Sequence, residues 1–271
     1  MRPHRPLSRL SFAGGIARAG VRELPSEVAV ALSYNGSTHA VMMATPADLT
    51  DFALGFTLGE GIAAAAAEIE RVDVVETALG IDLQIWLTDG AAARQVQRRR
   101  SMAGPVGCGL CGLDSLEEAT RLPAPVTGHV VMTPDQVMAA VAGISRHQPL
   151  HDATRAAHCA ALWGPTGITL SREDVGRHNA VDKLVGAAHA ACQPTHAAAL
   201  VLTSRVSIDL VQKACAAGFP ILIAASAPTA AAVEMADVAG LTLIANARAD
   251  GFDCYTHPHR LSDATEAAHV A

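Results

Sequence analysis

The chain has 271 residues, half of them apolar but only 3% aromatic, and 20 basic against 26 acidic residues give a formal charge of −6. A chain of this length and apolar content builds a full core from Ala, Val, Leu and Ile, which excludes a disordered polymer. The negative balance excludes non-specific nucleic-acid binding, which needs a basic footprint, and no run of about 18 apolar residues is present to span a membrane.

Residues 1–9 are basic and broken by Pro3 and Pro6, without the apolar stretch of a signal peptide, so residues 1–20 are expected to be a disordered cytosolic tail. The segment EVAVAL at 27–32 alternates as a strand does, Asn35-Gly36 is a strong hairpin signal, and residues 38–43 form the returning strand. Thr45-Pro-Ala-Asp48 reads as a helix start, with Thr45 as cap and Pro46 at the first helical position. That helix runs through Phe52, Leu54, Phe56 and Leu58 and stops at Gly59 or Gly61. Ile81, Leu83, Ile85 and Leu87 mark a half-buried strand. Arg98, Arg99 and Arg100 follow, then the loop Gly107-Cys-Gly-Leu-Cys-Gly112.

Pro123 and Pro125 close an N-terminal α+β portion over residues 21–125. Thr133-Pro-Asp-Gln136 opens a second helix with the same cap-plus-proline signature. Residues 160–163 and 168–171 flank the turn Gly164-Pro-Thr-Gly167, and residues 175–192 form a long helix. Strand and helix then alternate: strand 199–203, helix 208–217 capped by Ser207, strand 219–224, helix 229–238, strand 241–245. A last strand at 252–256 pairs back across Asp250-Gly251. This alternation predicts an α/β portion over 126–260, with a largely parallel sheet, right-handed crossovers and flanking helices, before a short tail at 261–271.

Three clusters can carry chemistry. In the first, the glycines around Cys108 and Cys111 leave amide N–H groups uncovered near the sulfurs. With three arginines upstream, such donors favour a nucleophilic thiolate. A carrier thiol, a thioredoxin-like redox pair and a zinc site completed by histidine all fit a single Cys-x-x-Cys. Cys159, Cys192 and Cys215 stand alone in alanine-rich stretches and are expected to be buried structural thiols. The second cluster, residues 171–183 (SREDVGRHNAVDK), places Arg172, Arg177, His178 and Lys183 where a strand meets a helix. Open α/β sheets bind ligands at such strand ends, although a salt-bridged helix face has the same spacing. The third joins Thr203-Ser-Arg205 to Ser226-Ala-Pro-Thr229, each after an apolar strand and before a helix. Free N–H groups there, with Ser204, Arg205, Ser226 and Thr229, suit a phosphate, while helix capping by Ser226 and Thr229 is the plainer alternative. No nucleotide-hydrolysing phosphate loop occurs.

At these residues the sequence resembles the formate dehydrogenase accessory sulfurtransferases, the FdhD/NarQ family. The resemblance runs through Tyr34-Asn-Gly36, Met42-Met-Ala-Thr-Pro46, Gly55-Phe56, Cys108-Gly-Leu-Cys-Gly112, Glu173-Asp-Val-Gly-Arg-His-Asn-Ala-Val-Asp-Lys183, Ser204-Arg205, Ala225-Ser-Ala-Pro-Thr229 and Tyr255-Thr-His-Pro258. It implies a sulfur carrier that takes sulfur from a cysteine desulfurase as a persulfide on Cys108, with Cys111 in support. The sulfur would go to the molybdenum (or tungsten) bis-guanine-dinucleotide cofactor, bound as cargo, before insertion into formate dehydrogenase. The resemblance further implies a cytidine-deaminase-like fold and a homodimer, while the residues themselves give the expectation of no resident metal, for want of a second Cys-x-x-Cys, and of a cytoplasmic location. The family's cofactor-binding stretch aligns with Asn246, Ala247, Arg248, Ala249, Asp250 and Gly251, where this chain carries smaller and less basic residues. It also has Thr154-Arg-Ala-Ala-His158 where the family carries Thr-Gly-Gly-x-His. The deaminase zinc signature is absent, since Val106-Gly107 precede Cys108.

Overall fold

The computed structural model describes residues 1–100, the last four through their backbone alone, and residues 122–262. The cysteine loop lies outside the described residues. The N-terminal sheet has the order β4-β3-β6-β5, formed by β3 (Val28–Tyr34), β4 (Ser37–Ala44), β5 (Ile69–Thr77) and β6 (Gly80–Leu87). Asn35-Gly36 turns β3 into β4 as expected, both residues at positive φ. Every second residue, among them Val30, Leu32, Ile81, Leu83 and Ile85, points into a core with Phe52 and Phe56 of α1 (Leu49–Gly59). A further helix, α2 (Asp89–Arg100), follows β6.

In the second sheet the order is β12-β11-β10-β9-β7-β8. Its strands are β7 (His158–Gly164), β8 (Gly167–Asp174), β9 (Ala199–Leu202), β10 (Ile221–Ala224), β11 (Thr242–Arg248) and β12 (Gly251–Cys254). The parallel ladder joins β9, β10 and β11, while β7, β8 and β12 run antiparallel to their neighbours. The three parallel strands are apolar without alternation because both faces are covered. Leu200, Leu202, Leu222 and Leu243 meet α5 (Arg177–Ala190), α6 (Ile208–Ala216) and α7 (Ala230–Val238). Val201, Ile221, Ile223 and Ile244 pack instead against α3 (Pro134–Ile144) on the other face. Thr133 caps α3 in the expected reciprocal box with Gln136. A short helix, α4 (Pro149–Thr154), precedes β7, and the Glu173 carboxylate accepts from the Leu150 and His151 amides at its start, both at 2.7 Å.

Two helices join the sheets. α1 and α5 cross at Gly55 and Gly186, where an added Cβ would lie 1.7 Å from the Asp182 carbonyl oxygen and 1.9 Å from that of Asp51. No other residue allows this backbone-to-backbone approach.

Several expectations change. The tail expected at residues 1–20 is a hairpin of β1 (His4–Ala13) and β2 (Ile16–Pro25), paired along all ten residues of each strand. Thr45 does not cap α1, which starts after Asp48 in a left-handed conformation with no side-chain cap. Thr45 is fully buried between the sheets, its hydroxyl accepting from the Val175 amide and its own amide donating to Asp174. β5 was not expected, because its apolar residues are half-exposed on an edge strand. Among the cysteines, Cys159 and Cys215 are buried, and burial pushes both thiols up to about 12. Cys192 is exposed instead, at a left-handed position just after α5.

Candidate functional site

The carboxyl ends of β9, β10 and β11 and the start of β7 form one edge, as strand polarity requires. Backbone hydrogen bonds bring the loops there into register. The Ala225 amide donates to the Leu202 carbonyl at 2.9 Å, Val206 to Ala227 at 3.2 Å, and Asn246 to Ser226 at 3.2 Å. At the other side of β9, the Cys159 amide donates to the Thr203 hydroxyl at 2.9 Å. The edge therefore reads, in order, Asn246 to Arg248, Ser226, Ser204 and Arg205, His158, and then Gly176 to His178 at the start of α5.

The expected residues divide sharply along this edge. Arg205 and Arg248 are exposed, Ser226 is half-buried, and none of the three has a side-chain hydrogen bond or ion pair within the described residues. Ser204 is buried and donates to the Arg205 carbonyl at 3.1 Å. The Thr229 hydroxyl is occupied as the cap of α7, accepting from the Ala232 amide at 3.2 Å. Asn246 sits at φ 52° and donates to Asp253 at 2.7 Å and the Tyr255 hydroxyl at 3.0 Å. Ala247 is buried, whereas Ala249 and Asp250 are exposed in the turn before Gly251 opens β12.

The residue 171–183 motif holds the molecule together more than it faces the edge. Lys183 is fully buried, donating to Asp174 at 2.6 Å and to the Thr45 carbonyl at 2.9 Å, so it is removed from any ligand. Asp174 also accepts from the Gly176 amide at 2.7 Å and from Asn179 at 3.0 Å. Arg172 turns to α1 and pairs with Asp51 at 2.7 Å. It lines a separate cavity of about 270 Å³ with His4, Asp48 and His147. His178 approaches Asp209 at 2.8 Å as an ion-pair contact without hydrogen-bond alignment. Burial pushes the Asp209 carboxyl up, but the imidazole outweighs it and leaves the group below its ordinary range. Arg177 stays at the edge, half-buried, with a buried Nε that has no hydrogen-bond partner. α5 begins at Gly176 without a side-chain cap, so its first amides add donor character beside Arg177.

His158 was missed as a site residue. It is half-buried at the start of β7, and burial, then the nearby Arg177 charge, hold its pKa below the ordinary histidine range. It is therefore neutral at pH 7 and can accept a proton or hydrogen bond. Its signal in the sequence was a histidine retained in a stretch that otherwise departs from the resembled pattern. Cys108 and Cys111, with the side chains of Arg98 to Arg100, lie outside the described residues.

This edge can hold an anion bearing several acceptor oxygens: Arg205, Arg248 and Arg177 supply charge, and Ser226 and the loop amides supply neutral donors. A match to the FdhD/NarQ family model covers residues 25–262. The chain belongs to the FdhD/NarQ family. It is 47% identical over 261 residues to the sulfur carrier protein FdhD of Agrobacterium fabrum, covering 95% of this chain and 96% of that one. To the sulfur carrier protein FdhD of Cupriavidus necator it is 46% identical, over 88% of this chain and 83% of the relative. A crystal structure from Desulfotalea psychrophila, described as a formate dehydrogenase accessory protein, superposes with a TM-score of 0.77 over 95% of this chain and 99% of that one. At 22% identity this likeness establishes the α/β fold. Among the described residues no helix is long and apolar enough to cross a membrane.

Proposed function

We propose that this protein is a cytoplasmic sulfur carrier serving the maturation of formate dehydrogenase. The observation that carries the reading is the near full-length similarity to proteins named sulfur carriers, at 47% identity over 261 residues. The cationic sheet edge adds a place for the acceptor of the sulfur.

In this reading the Cys108 thiolate attacks the outer sulfur of a cysteine desulfurase persulfide. The new sulfur–sulfur bond forms as the old one breaks, and the desulfurase thiolate leaves. The cargo is a molybdenum bis-guanine-dinucleotide cofactor whose phosphates rest on Arg205, Arg248, Arg177 and Ser226, with the Asn246 to Gly251 turn beside them. Cys111 supports release: its thiolate attacks the inner sulfur of the Cys108 persulfide and closes a disulfide. The outer sulfur leaves as sulfide carrying both electrons of the broken bond, so no outside reductant enters this step. A homodimer, as the family resemblance implies, is part of the same reading.

Intact-mass measurement after incubation with a cysteine desulfurase and cysteine tests it. The wild-type chain is expected to gain the mass of one sulfur atom, lost again on reduction, and Cys108→Ala is expected to lose productive transfer. Full formate dehydrogenase activity supported by Cys108→Ala would overturn the carrier role and leave a cofactor-binding chaperone.

A further inference from the structure

A carboxylate of the wrong sign for an anion stands beside the cationic sheet edge. Asp253 is exposed on β12, the outermost strand of the second sheet, opposite Ala245 of β11. Among the described residues no cation pairs with it. Its Oδ2 accepts instead from Asn246 Nδ2 at 2.7 Å and from the Tyr255 hydroxyl at 3.4 Å, and Asn246 donates to that hydroxyl at 3.0 Å. Asp253 and Tyr255 lie two residues apart on an extended segment, so they share a face. Asn246 reaches them from an irregularity in β11, where its φ is 52°.

The three side chains hold one another and leave acceptors open. Oδ1 of Asp253 and Oδ1 of Asn246 accept nothing from the described residues, and Tyr255 is 41% exposed, with its ring beside them. The Asn246 amide donates to the Ser226 carbonyl at 3.2 Å, which ties this triad to the loop that carries Ser226. An anion resting on Arg205, Arg248 and Ser226 is repelled by Asp253 unless the part of the molecule nearest Asp253 is a donor. An ionised carboxylate only accepts hydrogen bonds. The surface therefore asks for a ligand with two unlike ends: phosphate oxygens toward the arginines, and a flat group with adjacent N–H donors toward Asp253. Guanine carries such a pair, at N1 and its 2-amino group. Adenine presents an unprotonated N1 there and lacks the 2-amino group.

We propose that Asp253, steadied by Asn246 and Tyr255, reads the guanine base of a nucleotide whose phosphates occupy the arginine edge. The carboxylate accepts from N1–H and from the 2-amino group, and the phenol ring covers one side of the base. An adenine nucleotide sets its N1 lone pair against the carboxylate and is rejected. The inference rests on the reading of this edge as the cargo site, and adds what the arginines do not supply, since they hold any diphosphate alike.

Calorimetric titration of the full chain with GDP, inosine diphosphate (which lacks the 2-amino group), ADP and inorganic pyrophosphate tests this. The wild type is expected to prefer GDP to ADP by about tenfold or more, the worth of hydrogen bonds to a charged group, with inosine diphosphate between them. In Asp253→Asn that preference should fall to about threefold or less, one of the two acceptors having become a donor. The same change removes a negative charge, so ADP and pyrophosphate should bind as well as before or tighter, whereas damage to the fold would weaken all four. Equal affinity of the wild type for GDP and ADP, with pyrophosphate bound, would overturn the base reading and leave the edge a phosphate site. An undiminished preference in Asp253→Asn would remove Asp253 from that role. Failure of the wild type to bind either pyrophosphate or GDP would overturn the cargo site and this inference with it.

Discussion

Two polar regions of the second sheet's half of the chain behave oppositely. At the junction of the sheets, Lys183, Asp174 and Asp182 are at most 1% exposed, and each is held by named partners. At the sheet edge, Arg205, Arg248 and Ser226 meet solvent with no side-chain partner among the described residues. Burial commits a charge, because an unpaired ion in the interior costs several kcal/mol, while an exposed cation can wait for a ligand. The most charged motif of the chain, residues 171–183, is therefore chiefly a joint, and the plainer serine-arginine loops face the candidate site. Changes at the joint should read out as stability and changes at the edge as binding.

The largest effect is expected at Lys183. Lys183→Met leaves Asp174 buried without its cation and should cost about 3–5 kcal/mol, measured by urea unfolding. Guanine-nucleotide binding by whatever folded fraction remains should be unchanged; selective loss of binding in a stable variant would return Lys183 to the site. Gly55→Ala follows. Its methyl group would meet the Asp182 carbonyl carbon at 2.7 Å and its oxygen at 1.7 Å, both backbone atoms, so the helices must separate. Overpacking of this kind costs about 1–3 kcal/mol or more. A melting temperature equal to wild type would show that the crossing is looser than drawn.

The joint also carries a pH signature. Burial pushes the Asp182 carboxyl up to about 6, with Lys213 offsetting only part of that. Between its ordinary value of 3.8 and about 6, the folded chain holds a proton that the unfolded chain has released. Stability from this group therefore falls as pH rises through that window. Asp182→Asn should remove that component, so the difference in unfolding free energy between the two proteins should shift in the variant's favour from pH 4 to pH 6. A constant difference would mean that Asp182 is ionised throughout.

At the edge, Arg205→Ala should weaken GDP binding by about 1.5–3 kcal/mol if the phosphate contact is shielded from water, and leave the melting temperature within error. Equal affinity by calorimetry would remove Arg205 from the site. No GDP binding by the wild type would undermine the edge as a nucleotide surface.

How much of this was readable follows from burial. The strands β9, β10 and β11 announced themselves because both their faces are covered and their residues are apolar without a break. The carboxyl-edge position of Ser204, Arg205 and Ser226 followed from that alternation alone, whereas Asn246 entered only through the family resemblance. β5 and the β1–β2 hairpin were not readable in the same way, since exposed strands carry charges and, in Pro3 and Pro6, residues typical of loops. The role of Lys183 was hidden for another reason: a spacing of nine residues from an acid is the same whether the pair is buried or solvated. Thr45 misled because a threonine before a proline has the form of a cap, and only the distant Asp174 shows what its amide serves.

The smallest effect separates two neighbouring hydroxyls that sequence reasoning had treated as one group. Thr229 accepts from the Ala232 amide and caps α7, so Thr229→Ala should cost about 1 kcal/mol of stability and leave GDP affinity intact. Ser226 lies three residues earlier and makes no such cap; its carbonyl, not its hydroxyl, binds the Asn246 amide. Ser226→Ala keeps that carbonyl and should leave stability within about 0.5 kcal/mol, as surface substitutions usually do. It should weaken GDP by the worth of one neutral hydrogen bond, about 0.5–1.5 kcal/mol. The crossed pair of measurements, melting and calorimetry on both variants, is more decisive than either alone. Loss of nucleotide binding in the Thr229 variant without loss of stability would reverse the two roles and place the ligand at the start of α7.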